Sequence, residues 1–136
     1  MNRFLQLGFL PRNYDLALLV LRVWLGLDLF FKHGIEKVAH FSRMAAHFPD
    51  PVHIGPRLSL MFALLSDAIC SLLVVLGLGT RWAALIIVIN LAVAFTLVHH
   101  FAVSGPHSGE LPLVLLGGFI AVLIAGAGRY SVDRNV

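Results

Sequence analysis

Residues 58–78 read LSLMFALLSDAICSLLVVLGL. This apolar run is long enough to cross the roughly 30 Å hydrocarbon core of a bilayer, and its one charged side chain, Asp67, falls at its midpoint. Three further apolar runs flank it. Leu16–Phe31 is interrupted by Arg22 and Asp28, Trp82–Val98 has Asn90 as its only strongly polar residue, and Leu111–Ala125 is rich in small residues. All four are continuously apolar, not alternating, so each reads as a helix that satisfies its own backbone and not as a barrel strand. The expected spans are about 15–32, 58–78, 82–99 and 111–126.

Composition agrees with that reading. The chain has 136 residues, 59% of them hydrophobic and 12% charged, with a mean hydropathy of +0.89. An ordinary soluble domain carries about 25% charged residues. The expected fold is therefore all-α: a polytopic, four-helix membrane bundle forming one membrane domain over residues 1–136. No room is left for a second domain or a water-soluble catalytic module. Between the first two spans, Ile35, Val38, Phe41, Met44 or Ala45, and Phe48 recur at helical spacing, with Glu36, Lys37 and Arg43 on other faces. That pattern fits a short amphipathic helix lying in the interface, or an ordinary helix capping the bundle mouth, before Pro49, Pro51 and Pro56 break it.

The basic residues are scattered singly, which argues against nucleic acid and for topology signals. An even number of spans puts both termini on one side, with Arg3, Arg12, Arg81, Arg129 and Arg134; the other side has Lys32, Lys37, Arg43 and Arg57. The balance places the termini in the cytoplasm. All seven histidines fall on the far side. Met1–Arg12 reads as a retained lead-in to the first span, because no short apolar core with a small-residue cleavage site precedes it. The single cysteine, Cys70, excludes an intrachain disulfide and a CxxC motif, and reads as a buried inert thiol.

Ionisable groups deep in a span need a partner, water or a task. Arg22, Asp67 and Asn90 fall at the midpoints of their runs, opposite Gly117 and Gly118. At 100° per residue, Asp15, Arg22, Gly26, Leu29 and His33 form one stripe of the first span. Ala63, Asp67, Cys70, Ser71 and Val74 form the matching face of the second. An Arg22–Asp67 ion pair between the two helices is expected. Such a pair serves either to pin helix register or to line a polar pocket for a ligand head group or a proton path. Asp28 lies about 120° from the stripe and has no assigned task. His33, His40 and His47 are seven residues apart, too far along one helix to chelate together, and adjacent His99 and His100 diverge, so no metal centre is expected. Interfacial or pH-responsive histidines fit better, with a proton-transfer role open for His33. Gly117, Ala121 and Ala125 repeat a small-residue spacing that permits close helix approach.

Four motifs in order resemble the DoxX family of small membrane proteins. Leu21-Arg22, then Phe30-Phe31-Lys32-His33-Gly34 and Lys37, resemble its first-span signature. Leu76-Gly77-Leu78-Gly79-Thr80-Arg81 with Ala83-Ala84-Leu85 is similar to its second-to-third turn. Gly109-Glu110-Leu111-Pro112-Leu113 resembles its fourth-span entry, and Gly126-Ala127-Gly128-Arg129-Tyr130-Ser131-Val132-Asp133 its C-terminal end. Family members usually carry Glu at the position of Asp67 and Pro at that of Ala127.

The resemblance implies a bacterial inner-membrane protein associated with quinone-coupled redox chemistry. On that footing Arg22 and Asp67 line an intramembrane pocket for a quinone-like head group, Asn90 donates a hydrogen bond, and His33 and Glu110 mark the far-side mouth. With no flavin fingerprint, dithiol or defensible haem ligand pair, the expected carrier is a diffusible quinone or belongs to another subunit. A second expectation is a non-catalytic accessory subunit of a larger membrane complex, or a homo-oligomer, in contact with lipid and other membrane subunits. A third is a small transporter or metal-handling factor using the far-side histidines.

Overall fold

The computed structural model describes residues 7–135, and all regular structure in them is helical. Residues 1–6, which include Arg3 and half of the expected lead-in, lie outside the described residues. The first long helix, Tyr14–Leu29, opens on Asn13, whose side chain accepts the Leu16 amide at 2.9 Å. It continues through a π-helical turn, Phe30–Gly34, into Ile35–Ala39. The second comprises Pro56–Leu64, a π-helical stretch Leu65–Cys70, and Ser71–Leu76. The third is Thr80–Val93 with a π-helical end, Ala94–Val98, and the fourth is Glu110–Ala125. Pro56–Leu76 and Thr80–Val98 are long and apolar enough to cross a membrane, and Glu110–Ala125 is a shorter apolar helix.

The first helix outruns its expected end. The interfacial helix read between the first two spans is not one element: residues 35–39 finish the first helix, His40 breaks it at φ −117° and ψ 20°, and only Phe41–Met44 stands apart. Lys37, expected on a polar face, is buried. The extra turns move the middle of the helix past Arg22, which therefore lies in the half nearer the termini.

Glycine sets how closely the first two helices approach. A Cβ on Gly26 would lie 2.8 Å from the Ser71 carbonyl oxygen, and one on Gly34 would lie 2.6 Å from that of Asp67. These contacts run antiparallel and fix the register: Gly26 faces Ser71, and Gly34 faces Asp67. Ala83, Ala84 and Ile87 of the third helix meet Leu115, Phe119 and Val122 of the fourth, and Leu25, Leu29 and Val74 complete the core. Small residues on one helix receive large ones from the next, which keeps the interior dense. The outside is apolar, with Trp24, Trp82 and Ile124 each about three-quarters exposed.

At the terminal end, the second and third helices are joined by Gly77 and Gly79, both left-handed at φ 72° and 57°. The C-terminal strap folds back over this turn. Asp133 accepts the amides of Gly79 at 2.6 Å and Thr80 at 2.9 Å, capping the third helix, and its own amide donates to the Gly77 carbonyl at 2.8 Å. Partial burial pushes the Asp133 carboxyl up, but these amides and the Arg22 guanidinium outweigh it and hold the group below the ordinary carboxylate range. Asp15 anchors the same strap by accepting the Arg129 amide at 2.9 Å.

Candidate functional site

The buried polar groups separate into two clusters at different levels of the bundle. Near the termini, Arg22 is buried, and its guanidinium donates to three carbonyls: Val74 at 3.0 Å, Val75 at 2.5 Å, and Tyr130. They lie where the second helix ends and the C-terminal strap passes; the Val74 carbonyl also accepts the Gly77 amide at 3.1 Å. Arg22 therefore joins three segments. It does not form the expected pair with Asp67, because the glycine-set register brings it beside Val74 and Val75, about two helical turns from the carboxylate.

Asp67 is paired instead with Lys37, at 2.8 Å, and both side chains are buried. Its second oxygen accepts from Asn90 at 3.0 Å and from Ser66 at 3.0 Å, while Lys37 also donates to the His33 carbonyl at 3.4 Å. A buried ion pair needs this kind of additional bonding, since desolvating two charges consumes much of their attraction. Gly34 makes the pair possible: its missing side chain lets the first helix approach the Asp67 backbone, so Lys37, one turn further on, reaches the carboxylate. Ser71 donates to the Asp67 carbonyl at 2.6 Å and so supports the π-helical stretch around it.

This second cluster opens into a cavity of about 430 Å³. Lys37, Asp67, Asn90, His33, His99 and Ser59 supply its polar lining; Leu29, Phe62, Val98 and Leu115 are among its apolar walls. The loop after Met44 covers it with Phe48, Pro49, Pro51 and Ile54. Asp50 fastens this loop to the start of the second helix, accepting the amides of Ile54 at 3.0 Å and Gly55 at 2.8 Å and the Ser59 hydroxyl at 2.8 Å. Each of three long helices becomes π-helical beside the cavity, and the three stretches bring His33, Asp67, and Ala94 with Val98 to its wall. Such irregular turns often occur at functional sites, because they turn a side chain away from its regular helical direction.

A family model described as DoxX matches residues 17–100. The chain belongs to the DoxX family. It is also 31% identical over 128 residues to a protein of Haemophilus influenzae described as an uncharacterized protein, covering 88% of this chain and 83% of that one. No solved structure matches the chain. DoxX membership makes this a membrane protein, in keeping with its apolar helices and exterior.

Among the residues read from the sequence, this DoxX structure gathers Asp67, Asn90 and His33 around one cavity. Arg22 is held elsewhere by carbonyls. Glu110 is exposed at the start of the fourth helix, where its amide donates to Ser108, and it does not line the cavity. Asp28 lies 3.9 Å from Lys32, an ordinary one-turn pair at the surface of the first helix. The sequence reading missed Lys37 and His99. Lys37 lies only about 40° from His33 on a helical projection, so extending the first helix by one turn adds it to the stripe already drawn through Arg22 and His33.

Proposed function

We propose that this DoxX protein binds a neutral, lipid-soluble molecule with a compact hydrogen-bonding head, of the quinone type, in the cavity beside Lys37 and Asp67. One observation carries the reading: a buried, hydrogen-bonded ion pair with one ammonium N–H to spare lies at the wall of a mostly apolar cavity of about 430 Å³. That volume is within the range of about 300–1,000 Å³ usual for small-molecule sites, and apolar walls with a few convergent polar groups are their usual composition. Lys37 and Asp67 neutralise each other, which disfavours a charged head. Lys37 retains hydrogen-bonding capacity for a ligand oxygen, Asn90 contributes its amide, and the apolar walls take a hydrocarbon tail. The chain's own part is to hold the head, fix its orientation and keep bulk water from it; the bound molecule supplies any redox chemistry.

The associated topology is four membrane crossings with both termini cytoplasmic, in a bacterial inner membrane. The basic residues at the terminal end, the apolar exterior and the bacterial relative support it.

The test is a mass-spectrometric inventory of lipid-soluble molecules that leave the membrane with the tagged protein. A neutral ring-headed lipid is expected with wild type, and its loss with the charge-neutral double variant Lys37→Met/Asp67→Leu while the fold persists. Stoichiometric recovery in a larger complex, with no such molecule bound, would overturn the proposal in favour of an accessory-subunit role.

A further inference from the structure

The cavity's polar groups divide into donors and acceptors, and the division selects between chemical forms of a ligand. This step rests on the cavity being the ligand site proposed above. The Lys37 ammonium has three N–H groups; Asp67 takes one at 2.8 Å and the His33 carbonyl a second at 3.4 Å, leaving one for a ligand oxygen. Both Asp67 oxygens are already engaged, by Lys37 and by Asn90 with Ser66. The oxygen facing Lys37 keeps one lone pair and the Asn90 side-chain carbonyl is a further acceptor, so the ion-pair wall itself offers a ligand hydroxyl some acceptance.

His99 lines the cavity at the end of the third long helix, and its Nδ1 lies 2.9 Å from the His107 carbonyl oxygen. A carbonyl only accepts, so Nδ1 carries the hydrogen, and in the neutral ring Nε2 keeps its lone pair. The surrounding loop holds the ring in place. A Cβ on Gly109 would lie 2.8 Å from the Cβ of His99 and 3.2 Å from its Cγ, so only glycine lets the backbone pass there. The chain reaches that position through His100 and Phe101, both left-handed at φ 49° and 60°, and the Gly109 amide closes the loop on the Ala102 carbonyl at 2.6 Å. Non-glycine residues held in this conformation are costly and persist only where the surroundings enforce them.

We infer that His99 is a specificity-determining acceptor of the cavity, and that with Lys37 it selects the hydroxyl form of a ring-type head over its carbonyl form. A ring hydroxyl donates to Nε2 of His99 while a ring oxygen accepts from Lys37. A head bearing only carbonyls satisfies Lys37 and leaves Nε2 unpaired. A site built to bond a hydroxyl discriminates against the analogue that lacks it.

The experiment is anaerobic equilibrium dialysis of the full chain in detergent against a decyl-substituted hydroquinone and the matching benzoquinone. Wild type binds the hydroquinone about tenfold more tightly, the scale of one satisfied acceptor. In His99→Leu the hydroquinone affinity falls several-fold toward that of the benzoquinone, which itself is unchanged. His99→Gln, which keeps an acceptor oxygen, retains part of the preference. Equal affinities in wild type, or a preference undiminished in His99→Leu, overturn the inference. If His99→Leu fails to fold, the wild-type comparison alone decides. Tight binding without preference rejects this inference only, whereas failure of both compounds to bind wild type rejects the ligand-site proposal beneath it.

Discussion

Arg22 and Lys37 stand on the same helix, both buried, and the chain uses them in opposite ways. Arg22 spends both terminal nitrogens on the carbonyls of Val74, Val75 and Tyr130, closing the terminal end of the bundle, while its buried Nε meets no partner among the described residues. Lys37 meets a carboxylate, and the pair is left beside a cavity. A guanidinium, with its planar fork of donors, can tie its own helix to two other segments through their carbonyls. An ammonium paired with Asp67 makes a neutral polar wall with capacity to spare. The difference teaches that a charge inside an apolar helix is not a functional site by itself; what matters is whether its spare hydrogen-bonding capacity faces a cavity, as that of Lys37 does and that of Arg22 does not.

The sharpest way to break this contrast is to remove one member of each cluster. Lys37→Met leaves Asp67 buried without its counter-charge, and a loss of about 3–5 kcal/mol is expected in thermal or denaturant unfolding in detergent. The double variant Lys37→Met/Asp67→Leu should recover to within about 1 kcal/mol of wild type, because an apolar pair of similar size replaces the ion pair. Arg22→Met should cost on the order of 3 kcal/mol, since the part-buried Val75 and Tyr130 carbonyls lose a charged donor. Proteolysis of the variant should then cut the strap around residues 126–135 first. A fully stable Arg22→Met would show that the strap does not depend on this residue.

Gly34→Ala tests the approach that brings Lys37 to Asp67. The new methyl would lie 2.6 Å from the Asp67 carbonyl oxygen, a backbone atom, and a loss of about 1–3 kcal/mol is expected. Gly117→Ala, where a Cβ meets nothing within 4 Å, is its control and should leave stability near wild type. A cost at Gly117 equal to that at Gly34 would contradict the packing described.

The smallest effect concerns Asp133. Asp133→Asn should cost about 1 kcal/mol as a weakened helix cap. Because the carboxyl is held below its ordinary value of 3.8, its contribution is complete above that value and is lost as pH falls through the lower folded-state value. The mutant and wild-type melting curves should therefore converge under strong acid. A gap that widened on acidification would be the wrong sign.

Much of this was legible in the sequence. The continuity of the apolar runs located the four long helices, and the isolation of Asp67 and Asn90 in theirs marked two cavity residues. Placing polar groups by the midpoint of each run failed for Arg22, because the first helix extends through Gly34 to Ala39 and its true middle is elsewhere. Lys37 was hidden by the same error. Read as part of a separate interfacial helix, it belonged to a polar face; continued on the first helix, it follows His33 by one turn. The π-helical turns left no signal in composition. His99 depends on the His107 carbonyl and on Gly109 folding back against the ring, contacts that spacing along the chain does not reveal.

The central claim is that the Lys37–Asp67 cavity binds a ligand and the Arg22 cluster does not. Ligand-dependent thermal stabilisation tests it most directly. Decyl-hydroquinone should raise the melting temperature of wild type, and of Arg22→Lys if that variant folds, by an amount that grows with the logarithm of concentration above the Kd. It should leave Lys37→Met/Asp67→Leu unshifted. An equal shift in the double variant, or a shift abolished only by changing Arg22, would contradict the account.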